Sequence, residues 1–244
     1  MEDELLDEYA HAAEGHWWFA ARRRILASVV EPLLDAGRPQ LMLDAGTGSG
    51  GMGPLLERYG RLVGVDVSRH LLGLARPRIE RLAAASLVAL PFRAQVFDAM
   101  FACDVLEHVA DETAALGELR RVARPDGRLV LTVPAFGFLW GEHDEVNHHY
   151  RRYTRARLAA VLDATGWRAL RLSYFNTLLF LPIAGIRLAA GQRRSAEPPH
   201  SDLAWRLPRI VNTALETIFA SERHLMRHVD LPFGVSLLAV ATPR

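Results

Sequence analysis

The segment Leu41-Met42-Leu43-Asp44-Ala45-Gly46-Thr47-Gly48-Ser49-Gly50-Gly51 constrains this chain more than any other. A short apolar run passes into a glycine-rich turn and then into a helix-forming stretch. Glycines in such a turn reach backbone conformations closed to other residues and let the main chain come close to a ligand. Gly46, Gly48 and Gly51 keep the G-x-G-x-x-G spacing, and Asp66 follows a second apolar run, where an acid able to meet ribose hydroxyls belongs.

The same alternation continues along the chain. Leu41 to Ala45, Leu62 to Val65, Ser86 to Leu90, Val96 to Cys103 and Arg128 to Pro134 read as strands, with helical segments between most of them. This rhythm predicts βαβ units and a mostly parallel sheet covered on both faces. A helix is expected from Trp17 to Leu34, ending at Pro32 and Gly37, and Arg124-Pro125-Asp126-Gly127 forms a turn before the fifth strand. Thr154 caps a further helix that ends near Gly166, Arg168 to Ser173 is a sixth strand, and Val235 to Ala241 a last one. The region 176–231, with its polar break at Gly191 to Ser201 and a helix from Leu207 to Met226, reads as a helical insertion before that last strand. We therefore expect one α/β domain over 1–244, with an N-terminal cap helix in 1–37, a loop over 135–153 and a cap or interface in 176–231.

The glycine loop alone does not decide its ligand. Asp44 stands two residues before the first glycine, where it would face the phosphates of a dinucleotide, so its charge favours a cationic ligand. Its side chain can also tie the loop to nearby backbone amides.

Taken together, Asp44 to Gly50, Asp66, the run Phe97-Asp98-Ala99-Met100-Phe101-Ala102-Cys103-Asp104-Val105-Leu106-Glu107-His108-Val109 and the run Leu119 to Leu129 resemble the class I S-adenosylmethionine-dependent methyltransferases. The resemblance covers most of the chain before Ser173. It implies a Rossmann-like sheet of seven strands with the final strand antiparallel, S-adenosylmethionine as cofactor and S-adenosylhomocysteine as product. Asp44, Gly46, Thr47 and Gly48 would then surround the methionine part, Asp66 and Val67 the ribose, and Ser86 and Leu87 the adenine, where the family often has an acid in place of Ser86. Cys103 and His108 would flank the cofactor at the end of the fourth strand. The stretch Gly15 to Arg22 resembles a helix that closes over the cofactor in one branch of these enzymes, which places Arg22 near the methionine carboxylate and Trp18 near the substrate.

The stretch Pro134 to Tyr153 follows the fifth strand and should overhang the crevice into which the methyl group points. Methyl transfer to a hydroxyl needs alignment and removal of a proton. His143 and His148 are the expected general bases, and Trp140, Asp144, Tyr150 and Tyr153 the expected substrate contacts. The same residues also suit a loop clamp in which Asp144 and Glu145 meet Arg151 and Arg152. No metal is expected, because the spacing of His143, Asp144, His148 and His149 matches no common zinc pattern.

Composition narrows the partners. A net charge of +1 over 244 residues gives no pull toward nucleic acid. The lone Cys103 fits a reducing compartment, and the acidic opening lacks the form of a secretory signal, so a cytoplasmic location is expected. The apolar stretch near Phe175 to Ala190 points to a small, partly apolar or lipid-like acceptor, with membrane-surface contact left open and a monomer or homodimer expected. Two other readings stand beside methyl transfer. One is a protein of this fold that binds the cofactor but catalyses a cyclisation, and the other is a nicotinamide oxidoreductase, disfavoured by Asp44.

Overall fold

The computed structural model describes residues 7, 10, 15–34, 38–191 and 207–244. Seven strands form one sheet: β1 (Gln40–Ala45), β2 (Gly60–Asp66), β3 (Arg81–Ala84), β4 (Phe97–Cys103), β5 (Ala123–Pro134), β6 (Trp167–Phe175) and β7 (Ser236–Pro243). Their order is β3-β2-β1-β4-β5-β7-β6. The first five pair in parallel, whereas β7 runs antiparallel to both β5 and β6. The order reverses between β1 and β4, and a crevice opens at the carboxyl ends of strands where such a reversal occurs.

Central strands of a parallel sheet are covered on both sides, which is why their sequences are almost continuously apolar. One face packs against α4 (Glu112–Val122) and α6 (Arg155–Ala164), through Leu116, Leu119, Leu158 and Leu162. The other carries α1 (Trp17–Val30) and α8 (Arg209–Met226), through Ile25, Leu26, Val30 and Phe219. Each of these fully buried side chains contributes about 1.5–3 kcal/mol of hydrophobic stabilisation. Trp17 meets Phe219 edge-on, with ring centroids 5.9 Å apart. Its amide donates to Asn212 Oδ1 at 3.0 Å, so α1 and α8 form one layer.

Local chemistry sets the helix ends. His16 caps α1, Pro32 lies in the turn Glu31–Leu33 that ends it, and the Thr154 hydroxyl accepts from the Arg157 amide at 3.2 Å to start α6. Short helices α2 (Gly53–Leu56), α3 (Arg69–Ala75) and α5 (Glu142–Val146) follow strand ends, and α7 (Phe180–Gly191) precedes α8. Both α7 and α8 lie between β6 and β7, where the sequence places an insertion. The polar break beyond Gly191 lies outside the described residues, as do parts of 1–37.

Two expectations change. The third strand is Arg81–Ala84, not Ser86 to Leu90. Leu87 and Leu90 are buried as expected of a strand, but in a turn fixed by the Leu90 amide on Glu118 Oε2 at 2.8 Å and by Arg121 on the Leu90 carbonyl at 3.0 Å. At the start of β5, Ala123 pairs with Phe97 and Arg128 with Ala99, so the Arg-Pro-Asp-Gly turn is a wide bulge inside the strand rather than a step before it.

Candidate active site

A cavity of about 620 Å³ opens at the carboxyl ends of β1, β4 and β5. Its walls come from the glycine loop, the turn after β4, the α5 segment, α1 and α7.

The glycine loop is held by backbone alone on one side. The amides of Gly46 and Thr47 both donate to the Val65 carbonyl, at 2.8 and 2.9 Å, and carry the chain off β1 across the end of β2. Gly46 has φ of +75°, and a Cβ there would lie 2.4 Å from the Val105 side chain, so conformation and space both require glycine. Gly48 has φ of +54°, and a Cβ added to it would meet nothing within 4 Å, which leaves its face open to the cavity. Asp66 accepts from Gly48 N and Ser68 N, each at 2.9 Å, one on each carboxylate oxygen. Each oxygen keeps a lone pair for a ligand hydroxyl. Asp44 is 3% exposed and accepts the Thr47 hydroxyl at 2.7 Å. Burial pushes its carboxyl up to about 6, against the Thr47 hydrogen bond and the charge of Arg22, which hold it down.

Arg22 reaches down from α1, stacks over Trp18 at 4.7 Å from the ring centroid and pairs with Asp104. Burial lowers its pKa, and its Nε lacks a hydrogen-bond partner among the described residues. Asp104 is held in a left-handed conformation, φ +53°, just past β4 and also accepts the Thr132 hydroxyl. An open glycine face, buried acids beside the cavity and a guanidinium Nε without a partner among the described residues fit a zwitterionic, cationic donor such as S-adenosylmethionine: acids for its ammonium and sulfonium, Arg22 for its carboxylate. Cys103, 9% exposed, lines the same wall, and burial pushes its thiol up to about 11, so it stays an inert thiol.

On the opposite wall, side chains rather than backbone define the surface. Asp144 is fully buried and takes a two-pronged ion pair from Arg152, at 2.8 and 2.9 Å, together with the Gly141 amide and His149 Nδ1 at 2.8 Å. Burial alone would raise its carboxyl, but the hydrogen bonds from His149 and Arg152 and the Arg152 charge together hold it well below the usual carboxylate range. Arg152 also donates to the Ala135 carbonyl, which locks the segment onto the end of β5. The clamp reading of Asp144 with Arg152 is therefore what the structure contains, while Arg151 turns to Glu112.

Several expected substrate contacts lie off the cavity. Asp144 works within the clamp. Tyr153 is fully buried with its hydroxyl on Glu112, because residues 153–158 must pack under the sheet edge. Tyr150 is 60% exposed and Trp140 37%, both outside the cavity wall. His148 sits exposed at the end of the α5 turn with φ +53°, which swings its side chain away, whereas His143 lines the cavity. Trp18, Arg22, Gly46, Thr47, Gly48, Cys103 and His108 also line it. Asp44, Asp66, Val67, Ser86 and Leu87 stand at or past the ends of β1, β2 and β3, beside the cavity rather than on its wall.

Sequence reasoning missed Glu107, His149, Asn147 and Asn176 on this wall. Glu107 is 1% exposed, its Oε2 has no hydrogen-bond partner among the described residues, and burial pushes its carboxyl up to about 8. Asn176 is fully buried, φ +59°, with neither side-chain polar atom partnered among the described residues. Unpartnered buried polar groups on a cavity wall are ready-made ligand contacts. Glu107 was visible in the Asp104-Val105-Leu106-Glu107-His108 motif. Asn176 carried no such signal.

Comparison with known proteins agrees with this architecture. Residues 43–131 match the family model described as a methyltransferase domain. The chain is 36% identical over 102 residues to a demethylmenaquinone methyltransferase of Thermus thermophilus, covering 38% of this chain and 46% of that protein. It is 29% identical over 181 residues to the malonyl-[acyl-carrier protein] O-methyltransferase of Salmonella typhimurium, covering 70% of this chain and 71% of that one. Among solved structures, the [4+2]-cyclase SpnF superposes with a TM-score of 0.55 at 20% identity, over 99% of this chain and 80% of that one, a likeness of fold alone. The chain spans between 42% and 60% of the length of several of the curated relatives it matches.

Proposed function

We propose that this chain, whose residues 43–131 match a methyltransferase domain model, transfers the methyl group of S-adenosylmethionine to a hydroxyl of a small, partly apolar acceptor, releasing S-adenosylhomocysteine. The single observation that carries the reading is the cavity itself. The glycine loop borders one side, with Asp44 and Asp66 beside it, and a wall of histidines, Glu107 and Asn176 borders the other.

The bound donor supplies an electrophilic methyl carbon. The chain's own residues do the rest. Gly46 to Gly48 hold the donor's backbone-facing side, Asp66 fixes its ribose and Arg22 its carboxylate, and α1 shuts water out from above through Trp17 and Trp18. Leu179, Pro182 and Ile183 from the α7 end supply an apolar wall, which supports an acceptor with a hydrocarbon part. His143 is positioned to take the acceptor's proton. Small molecules are thus the proposed partners. Leu181 and Ile186 of α7, 76% and 61% exposed, support either an apolar acceptor tail at the rim or a contact with a second copy or a membrane surface. No helix among the described residues is long and apolar enough to cross a membrane.

The test is incubation of purified protein with the donor and a panel of hydroxylated acceptors, with mass spectrometry for both the methylated product and S-adenosylhomocysteine. His143→Ala is expected to lower kcat by about 100-fold or more while leaving cofactor affinity unchanged. Product formation without S-adenosylhomocysteine would replace this reading with a non-methylating reaction such as cyclisation. Full turnover by the variant would remove His143 as the base.

A further inference from the structure

Glu107, His108 and His149 bring a carboxylate oxygen and two imidazole nitrogens within 4.8 Å of one another on the cavity wall. The sequence gives no hint of this grouping, because His149 lies 41 residues beyond His108 and reaches it only when α5 folds back over the turn after β4. The rings stand edge to face with centroids 4.5 Å apart.

Each imidazole is already oriented through its other nitrogen. His108 Nδ1 lies 2.9 Å from the Asn147 carbonyl, which can only accept, so that nitrogen carries the proton and Nε2 presents a lone pair. His149 Nδ1 lies 2.8 Å from Asp144 Oδ1 and donates to it, which likewise frees Nε2. A carbonyl or carboxylate behind each histidine is the arrangement that fixes metal-binding imidazoles in the correct tautomer. Between them stands Glu107, 1% exposed, with Oε2 lacking any partner among the described residues. Arg22 and Arg152 stand close enough for their charges to favour the ionised carboxylate, but neither hydrogen-bonds to Oε2. Donors around one ion stand about 3.0–3.4 Å apart at ordinary bond lengths near 2.1 Å. An ion would therefore draw the three groups in from their present spacing of up to 4.8 Å.

We propose that Glu107, His108 and His149 form a divalent metal site, and that the ion takes a hydroxyl oxygen of the acceptor as a further ligand. Two imidazoles and one carboxylate on a single side leave coordination positions open toward the cavity, as in metal sites that bind substrate rather than merely brace a fold. The site deepens the methyltransferase reading and rests on it only for the acceptor's identity. A metal-bound hydroxyl gives up its proton far more readily than a free one. That proton passes to His143, the oxygen lone pair forms the new C–O bond, and the C–S bond breaks with its electrons returning to sulfur as a neutral thioether. The acceptor class is thereby narrowed to hydroxyl compounds able to coordinate a cation, favouring those with a second oxygen beside the first.

The experiment uses the intact chain freed of metal by chelator, with neither donor nor acceptor present. Titration with Zn²⁺ by calorimetry is expected to show one equivalent bound, and Co²⁺ to give the visible absorption of a site with imidazole ligands. Glu107→Gln and His149→Asn should each weaken Zn²⁺ binding by at least about tenfold, with circular dichroism confirming the fold. The adjacent, exposed His148→Asn should leave it unchanged. Should Glu107→Gln fail to fold, His149→Asn and the Co²⁺ spectrum still decide the matter. Absence of a one-to-one site, or binding lost with His148 and kept without His149, overturns the proposal. Since no methyl transfer is measured, failure here leaves the methyltransferase reading standing, and loss of that reading leaves the metal site.

Discussion

The two walls of the cavity are built by different physics. The wall at the ends of β1 and β2 is made of backbone: Gly46 and Thr47 amides on the Val65 carbonyl, with Asp66 bracing Gly48 and Ser68. The wall past β4 and β5 is made of side chains, with Asp144 gripping Arg152 and His149 of its own segment, and with polar atoms of Glu107 and Asn176 unpartnered among the described residues. The first wall suits a ligand shared by many proteins of one fold, and the second is where chains of that fold can differ. Substitutions in the first should therefore act on the cofactor, and in the second on stability and acceptor chemistry.

The largest expected effect tests the second wall. Asp144→Ala removes the carboxylate that the buried Arg152 guanidinium grips with two hydrogen bonds, and should destabilise the protein by about 3–5 kcal/mol in chemical denaturation. A loss below about 1 kcal/mol would mean that the clamp does not hold this wall. Next comes Gly46→Ala, which forces a positive φ on alanine and presses a methyl into Val105. We expect a stability loss of about 1–3 kcal/mol and a marked fall in S-adenosylhomocysteine affinity by calorimetry, with Zn²⁺ binding retained. Equal damage to both ligands would erase the contrast between the walls.

A third, smaller effect concerns Asp44. Its carboxyl, raised to about 6 in the free protein, is drawn to the ionised form by a cationic ligand, so ligand binding releases its proton at lower pH. Affinity for S-adenosylhomocysteine, which keeps the ammonium, should fall as pH drops through about 6 and level off above it. In Asp44→Asn that dependence should vanish. A wild-type profile flat between pH 5 and 7 would show that Asp44 only braces Thr47.

The smallest effect lies behind the second wall. Glu222 on α8 is fully buried, accepts the Leu178 amide at 2.8 Å and has a carboxyl raised by burial. A carboxyl raised on folding adds no penalty below its unfolded value near 4.3, and destabilises increasingly as pH climbs from there through its folded value. Glu222→Gln should therefore gain thermal stability relative to the native chain as pH rises from 4 to 8, by a few degrees. A constant difference across that range would contradict the burial argument.

The contrast also explains what could be read in advance. The alternating strands and helices and the glycine loop were legible because each depends on short-range pattern: apolar runs, capping Thr154, positive-φ glycines; the antiparallel direction of the last strand came only from the resemblance to a known family. The third strand was misplaced because Arg81-Leu82-Ala83-Ala84 is a weakly apolar edge strand, while the more apolar run Leu87 to Leu90 forms a turn that buries only its two leucines. In the second wall, residue types were legible but roles were not. Which of His143, His148 and His149 faces the cavity depends on one positive φ at His148, and Asn176 becomes a wall residue only through the packing of α7 and α8.

The position of β7 reaches beyond the site. It follows β6 in sequence yet lies between β5 and β6, hydrogen-bonded to both and buried along its whole length. On the ribosome, β5 and β6 emerge long before the strand that must separate them, each with an unsatisfied edge. The nascent sheet consequently remains incomplete until the whole of α8 and β7 has been made. Any lesion that delays that step exposes two adhesive edges at once, so aggregation during synthesis, rather than loss of catalysis, is the foreseeable phenotype of changes in β7.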